Sequence, residues 1–278
     1  MSTSVGTCEA TAESAPAEPL IALEEIRRMR GGSQSHFMRC ADGNYYVVKF
    51  ANNPQGIDVL SNELLGGRLA QLLGLSVAPG AVVYVDPELV LLSEEMYIEK
   101  VRDRVPCQAG LCFGSRYPAR ASYGTLWDFL PDKLIVGVEN VGDFLGMLVF
   151  DLWTRNSDGR QVIFFREEPE HPYRVQMIDQ GYCFRGYLEH FAPLRSTYDR
   201  WRVYENVRSI DAFEPWLTLV EEIDQVALAA IAEGIPICWC DHDALRILLD
   251  RLYGQRTKLR ELLFSLRTLR RTPFPNWV

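Results

Sequence analysis

The chain has 278 residues, 47% hydrophobic and 24% charged, with a formal net charge of −8. That length and apolar content suit one large domain or two lobes sharing a core, while the acidic balance argues against a general nucleic-acid binder, because a phosphate backbone needs a positive field. The 7 cysteines are odd in number and irregularly spaced, which argues against a disulfide framework and fits reduced thiols in the cytoplasm better, and no apolar run reaches the length of a membrane span.

Residues 1–20 are rich in Ala, Ser, Thr, Glu and Pro and predict a disordered tail without the basic leader or apolar stretch of a signal peptide. Residues 21–50 read as strand, turn, strand, turn, strand, with turns at Gly31-Gly32-Ser33 and Asp42-Gly43-Asn44. The third strand, residues 45–50, is aromatic and β-branched. After the break at Asn52-Asn53-Pro54-Gln55-Gly56, residues 62–73 read as an amphipathic helix that Gly74 ends. Residues 81–85, 89–92 and 96–104 are expected as strands, and 111–116 as a linker.

Residues 132–153 carry apolar side chains at 134, 138, 141, 145, 148 and 152, the spacing of one long helix turned to a core. A polar loop at 154–160 precedes short strands at 162–165 and 173–178. From Glu205 onward the pattern is helical, with breaks near Gly234-Ile235-Pro236 and Pro273. Strands followed by helices make an α+β arrangement.

Four groups of residues bear on chemistry. Gly31-Gly32-Ser33-Gln34-Ser35-His36 lies between two strands, where small residues let a backbone approach a phosphate; taken alone it reads first as a plain hairpin turn, because Gly-rich turns are common. Lys49 is a lone cation in an apolar strand, which costs desolvation unless an anion meets it. Glu63 follows 14 positions later on the first helix and could be its partner; the bland alternative is a snorkelling lysine and a glutamate favouring the helix dipole. Asp158, in the loop Asn156-Ser157-Asp158-Gly159-Arg160-Gln161, and Asp179, where a strand ends at Asp-Gln-Gly, supply an acid and oxygen ligands, though Asp-Gly also forms ordinary turns. Phosphoryl transfer needs little more: an acid to orient a hydroxyl and oxygen ligands for magnesium on the phosphates. The order of glycines, lysine, glutamate, loop acid and strand-end acid carries the reading.

The segments GGSQSHFMRCADGNYYVVKF, NELLGGRLAQLLGL, DFLGMLVFDLWTRNSDGRQ and MIDQGYCF resemble the bacterial HipA-like kinases, over roughly residues 22–265. The resemblance implies a protein-kinase-like two-lobed fold, with a small β-rich N-lobe at 21–105 and a larger, mainly helical C-lobe at 106–278. It also implies ATP and Mg2+ as cofactors and a protein Ser/Thr hydroxyl as acceptor. In that light Gly31, Gly32, Ser33, Gln34 and Ser35 cover the phosphates, Lys49 holds them and Glu63 fixes the lysine. Asp158 becomes the catalytic acid and Asp179 the principal metal ligand. The sequence departs from kinase patterns where the second metal ligand is expected, five residues after the acid, because Ile163 stands there. Gln161 or Asn156 must substitute, and Asp151 with Asn156 forms a rival pair. A catalytically silent nucleotide-binding scaffold, a small-molecule kinase and a nucleotidyl transferase are the alternative functions.

Two further features invite other readings. Cys238-Trp239-Cys240-Asp241-His242 offers three soft metal ligands, but Asp241 reads better as the cap of a following helix. The segment 251–271 sets Glu261 alone against its arginines and Lys258, which suits a solvated helix face or a docking face for an acidic partner.

Overall fold

The computed structural model describes residues 18–118, 126–187 and 200–277. Most of the expected tail, residues 1–17, lies outside them.

The first three strands, β1 (Leu20–Arg28), β2 (His36–Cys40) and β3 (Tyr45–Lys49), form an antiparallel meander. The Asp42 side chain builds its second turn, accepting the Asn44 amide at 3.0 Å and the Tyr46 hydroxyl at 2.8 Å. Helix α1 (Asp58–Leu72) begins four residues before the apolar stripe suggested, because Val59 and Leu60 are also fully buried. Strand β4 (Gly80–Val85) then runs parallel to β1.

Residues 89–92 are a correction: they belong to helix α2 (Pro87–Leu92), not to a strand. The Asp86 carboxylate caps it by accepting the Glu88 amide at 2.8 Å, and Pro87 is pre-set for the first turn. The single strand expected at 96–104 is a hairpin of β5 (Tyr97–Glu99) and β6 (Arg104–Pro106). The expected linker at 111–116 is instead strand β7 (Gly110–Arg116), which pairs with both β3 and β4 and closes a five-stranded barrel in the order β1-β2-β3-β7-β4. The barrel therefore continues past residue 105.

A small sheet follows in the order β10-β9-β8, from β8 (Leu126–Trp127), β9 (Gln161–Phe165) and β10 (Arg174–Ile178). The long helix expected at 132–153 is two helices, α3 (Asp132–Ile135) and α4 (Asp143–Thr154). Between them Asn140 donates to the Val175 carbonyl at 2.9 Å and accepts the Val175 amide at 2.8 Å, extending the β10 edge where a helix cannot reach. Among the described residues the remaining α-helices are α5 (Glu214–Glu222), α6 (Gln225–Ala232), α7 (His242–Gln255) and α8 (Leu259–Arg267). Asp241 caps α7 through the Ala244 amide at 3.0 Å. Among the described residues no helix is long and apolar enough to cross a membrane.

Two apolar clusters organise the chain. Met38, Val48, Val83 and Cys112 fill the barrel. A larger cluster joins α1, α4, the β9–β10 hairpin and the C-terminal helices. At the centre of the larger one, α4 approaches so closely that a Cβ on Gly146 would lie 2.4 Å from the Trp216 indole and 2.5 Å from Leu75. Alanine gains up to ~1 kcal/mol of helix propensity over glycine, but overpacking a rigid indole costs about 1–3 kcal/mol. Gly146→Ala is therefore expected to lower the urea midpoint; a raised midpoint would refute this packing.

Candidate functional site

Lys49 closes β3 and lies buried, with its ammonium between two carboxylates. It contacts Glu63 of α1 and donates to Asp179 Oδ1 at 2.8 Å. The structure thus joins an element from the barrel, the first helix and the end of β10. Helix α1 also fixes the segment after β10: Glu63 Oε2 accepts the Gln180 amide at 2.9 Å, and Asn62 Nδ2 donates to the Gly181 carbonyl at 3.0 Å. Asp179 itself takes a left-handed backbone, φ +59°, a conformation costing a non-glycine residue ~1 kcal/mol or more and tolerated best by Asp and Asn.

The electrostatics follow from burial and pairing. Desolvation alone would lower the Lys49 pKa, but Glu63 and Asp179 together hold it above the ordinary lysine value. Burial would push Asp179 up, yet the Lys49 ammonium outweighs it and keeps the carboxyl below the usual range. Glu63, fully enclosed, is pushed up by desolvation against the pull of the same lysine. The cluster is a cation with a surplus of anionic partners, one of which is partly open to solvent.

Helix α4 runs into the loop that carries Asp158. Asp151, buried in its last turn, accepts Arg160 Nε at 3.1 Å and contacts a second guanidinium nitrogen. Arg160 also donates to the Ile178 carbonyl at 3.1 Å, tying the loop to the end of β10. Asn156 sits beneath, donating to Asp151 at 3.0 Å and accepting the Asp158 amide at 3.1 Å. Asp158 is left exposed, and Gln161, also exposed, pairs across the hairpin with Ile178, the residue before Asp179. The Asp158 loop and Asp179 therefore emerge from the same end of one hairpin.

The predicted residues are not equally placed. Lys49, Glu63 and Asp179 touch; Asp158 and Gln161 lie at the adjoining hairpin end. The Asp151/Asn156 pair does form, but with both members buried around Arg160, so the rival reading of Asp151 as a free acid meets a carboxylate already engaged. The amide oxygen of Asn156 is likewise occupied by the Asp158 backbone. In the glycine turn, the Gln34 amide closes the turn on the Gly31 carbonyl at 3.2 Å. Its side chain brackets the Glu99 backbone, donating to the carbonyl at 2.9 Å and accepting the amide at 2.7 Å. Gln34 thus anchors the turn to the β5–β6 hairpin. Gly32 lies beside Gln55, whose carbonyl accepts Arg185 at 2.7 Å, so the turn leans toward the segment that follows Asp179. Arg160 and Asn62 escaped the sequence reading. The signal for Arg160 was Asp151 itself, since an acid among apolar helix residues needs a cation nearby.

Comparisons with known proteins bear on the family and the fold. The model of the HipA-like kinase family matches residues 23–185, the stretch that contains Lys49, Glu63, Asp158 and Asp179. No curated protein matches the sequence. Among solved structures, the proinflammatory kinase CtkA of Helicobacter pylori superposes with a TM-score of 0.56 at 12% identity, over 87% of this chain and 92% of that one. A Golgi casein kinase with Mn/ADP bound gives 0.53 at 11% identity, over 91% and 74%. HipA of Shewanella oneidensis MR-1, solved with HipB and operator DNA, gives 0.51 at 14% identity, over 91% and 69%. At these identities the likeness establishes the protein-kinase-like α+β fold alone. With the family model covering more than half of its length, the chain belongs to the HipA-like kinases.

Proposed function

We propose that the chain is an ATP- and Mg2+-dependent phosphotransferase that moves the γ-phosphoryl group to a hydroxyl, with a protein Ser or Thr as the acceptor. The observation that carries this reading is Lys49, buried and held between Glu63 and Asp179. A buried cation with two carboxylates is an expensive arrangement for stability alone, since desolvation of an ion pair commonly offsets its attraction. It suits a site where phosphate oxygens take one partner's place.

The donor set fits the proposed cofactors. Asp179 and Gln161 offer hard oxygen ligands, the class magnesium takes, and Lys49 offers a point charge to phosphate oxygens. When bound, the metal would neutralise charge on the phosphates. Lys49 would hold the α- and β-phosphates, with Glu63 fixing its position through α1. The glycine turn, Gly31 to Ser35, would cover them from the barrel side. Asp158, exposed at the hairpin end, would orient the acceptor hydroxyl and take its proton. Asn156 then acts as the clamp on the Asp158 amide, which leaves Gln161 as the second oxygen ligand. We place the lobe boundary after Arg116, where the barrel ends, with the C-lobe following. The described cysteines are free thiols, which supports the cytoplasmic setting, and the net charge of −8 favours a nucleotide over direct nucleic-acid binding.

A second reading, nucleotide binding without transfer, is favoured by Ile163, which occupies the usual second-ligand position and pairs within β9–β10. Thermal melting with Mg-ATP tests binding: at a concentration 100-fold above Kd the native state should gain about 2.7 kcal/mol. Transfer of label from γ-labelled ATP then distinguishes the enzyme from the scaffold. Label arriving from α-labelled ATP would instead indicate a nucleotidyl transferase.

A further inference from the structure

A cavity of about 400 Å³ lies apart from Lys49, between the start of the Asp158 loop and the α7–α8 junction. Arg155, Arg251 and Lys258 line it, with Tyr187, Gly186 and the buried amide of Gln255; among the described residues no acid does. The local chain is built to present these cations. Helix α4 ends at Arg155 in a left-handed conformation, φ +48°, with its guanidinium 5.6 Å from the Tyr187 ring centroid. Gly186 donates its amide to the Arg155 carbonyl at 3.1 Å, and a Cβ there would lie 2.6 Å from that oxygen, so only glycine allows the approach. Tyr187 turns its hydroxyl inward to the Trp153 carbonyl at 2.6 Å and gives its own carbonyl to Arg251 at 3.1 Å.

Among the described residues, none of the three cations has a carboxylate within 4.0 Å. Arg260, on the same basic segment, shows the contrast: it reaches both Glu214 and Glu221, the latter at 2.8 Å. Three like charges facing one concavity repel one another, and in a chain of net charge −8 the arrangement runs against the overall field. Two guanidinium forks and an ammonium match a phosphate in both charge and geometry.

We propose that this cavity binds a phosphate-type dianion, either free or carried on a phosphorylated side chain. Its volume accommodates the anion and part of its carrier. Arg155 immediately precedes Asn156, which holds the Asp158 amide, so the bound phosphate sits beside the loop we assign to catalysis.

The test is calorimetric titration of the full chain with inorganic phosphate and, separately, with O-phosphoserine. It compares wild type, Lys49→Met and Arg251→Ala/Lys258→Ala, whose two cavity positions are exposed. Binding should persist in Lys49→Met and weaken by about tenfold for each cavity cation removed. Lys258→Glu provides a single-site version should the double variant fold poorly, and it too should lose at least about tenfold. No binding by wild type, equal affinity in the cavity variants, or binding that disappears only with Lys49 would overturn the proposal. Preference for phosphoserine identifies a phosphorylated side chain as the source, and equal affinity the free anion; both support the site. The Mg-ATP melting shift should be the same in wild type and in the cavity variants, so failure of the nucleotide reading is seen separately.

Discussion

Asp179→Asn is expected to reduce phosphoryl transfer at least about 10³-fold, the scale on which single electrostatic groups act in such sites. The substitution keeps the size of the side chain and an oxygen within reach of Lys49, so the 2.8 Å contact can persist as an ordinary hydrogen bond. What disappears is the charge. Lys49 retains Glu63, which is more deeply buried, so the ammonium is not stranded and the fold should lose only about 1 kcal/mol. A steady-state assay set beside a denaturant midpoint separates the two effects, and transfer that continues at the wild-type rate removes Asp179 from the site. The pH dependence provides a second readout. Because Lys49 holds the Asp179 carboxyl below its unfolded value, its contribution to stability is present above that value and fades as pH falls through the folded one. In the Asn variant this part of the acid-side loss should vanish, flattening the stability curve below the ordinary carboxylate range.

What the sequence made legible were features whose cost demands a partner. A lysine set in Val-Val-Lys-Phe needs an anion, and Glu63 on the following helix is the acid that meets it. The hairpin at Asp42-Gly43-Asn44 was visible because the turn chemistry is local. Strand β7 was not visible, since Gly110, Gly114 and Ser115 make a poor strand by propensity and its identity comes from non-local pairing, Val48 with Gly114 and Val83 with Cys112. Residues 132–153 misled for the opposite reason: the helical spacing of apolar positions carries on across two helices, while Gly137 and Gly142 mark the interruption. In α2, the apolar run 89–92 hid a start signal that was present in Asp86-Pro87. The Asp158 loop was legible as a loop, but its internal wiring was not. Spacing alone does not say that Asn156 serves both Asp151 and the Asp158 amide.

That wiring yields the largest stability effect expected. Arg160→Met removes the cation facing Asp151, a carboxylate with 0% exposure whose other side-chain contact is Asn156. An uncompensated buried charge costs about 3–5 kcal/mol, a large part of the stability of an ordinary domain. Deleting both charges should be far milder. In Asp151→Leu/Arg160→Met nothing ionised remains to be desolvated, and most of the lost stability should return; denaturant midpoints of the two single variants and the double variant give the coupling directly. Activity should not return with it. Without Asp151 and Arg160, Asn156 loses its anchor and the loop its tie to the Ile178 carbonyl, so Asp158 is no longer positioned beside the end of β10. A double variant that recovers stability and transfer together would show that this buried pair holds up the fold without positioning the loop acid.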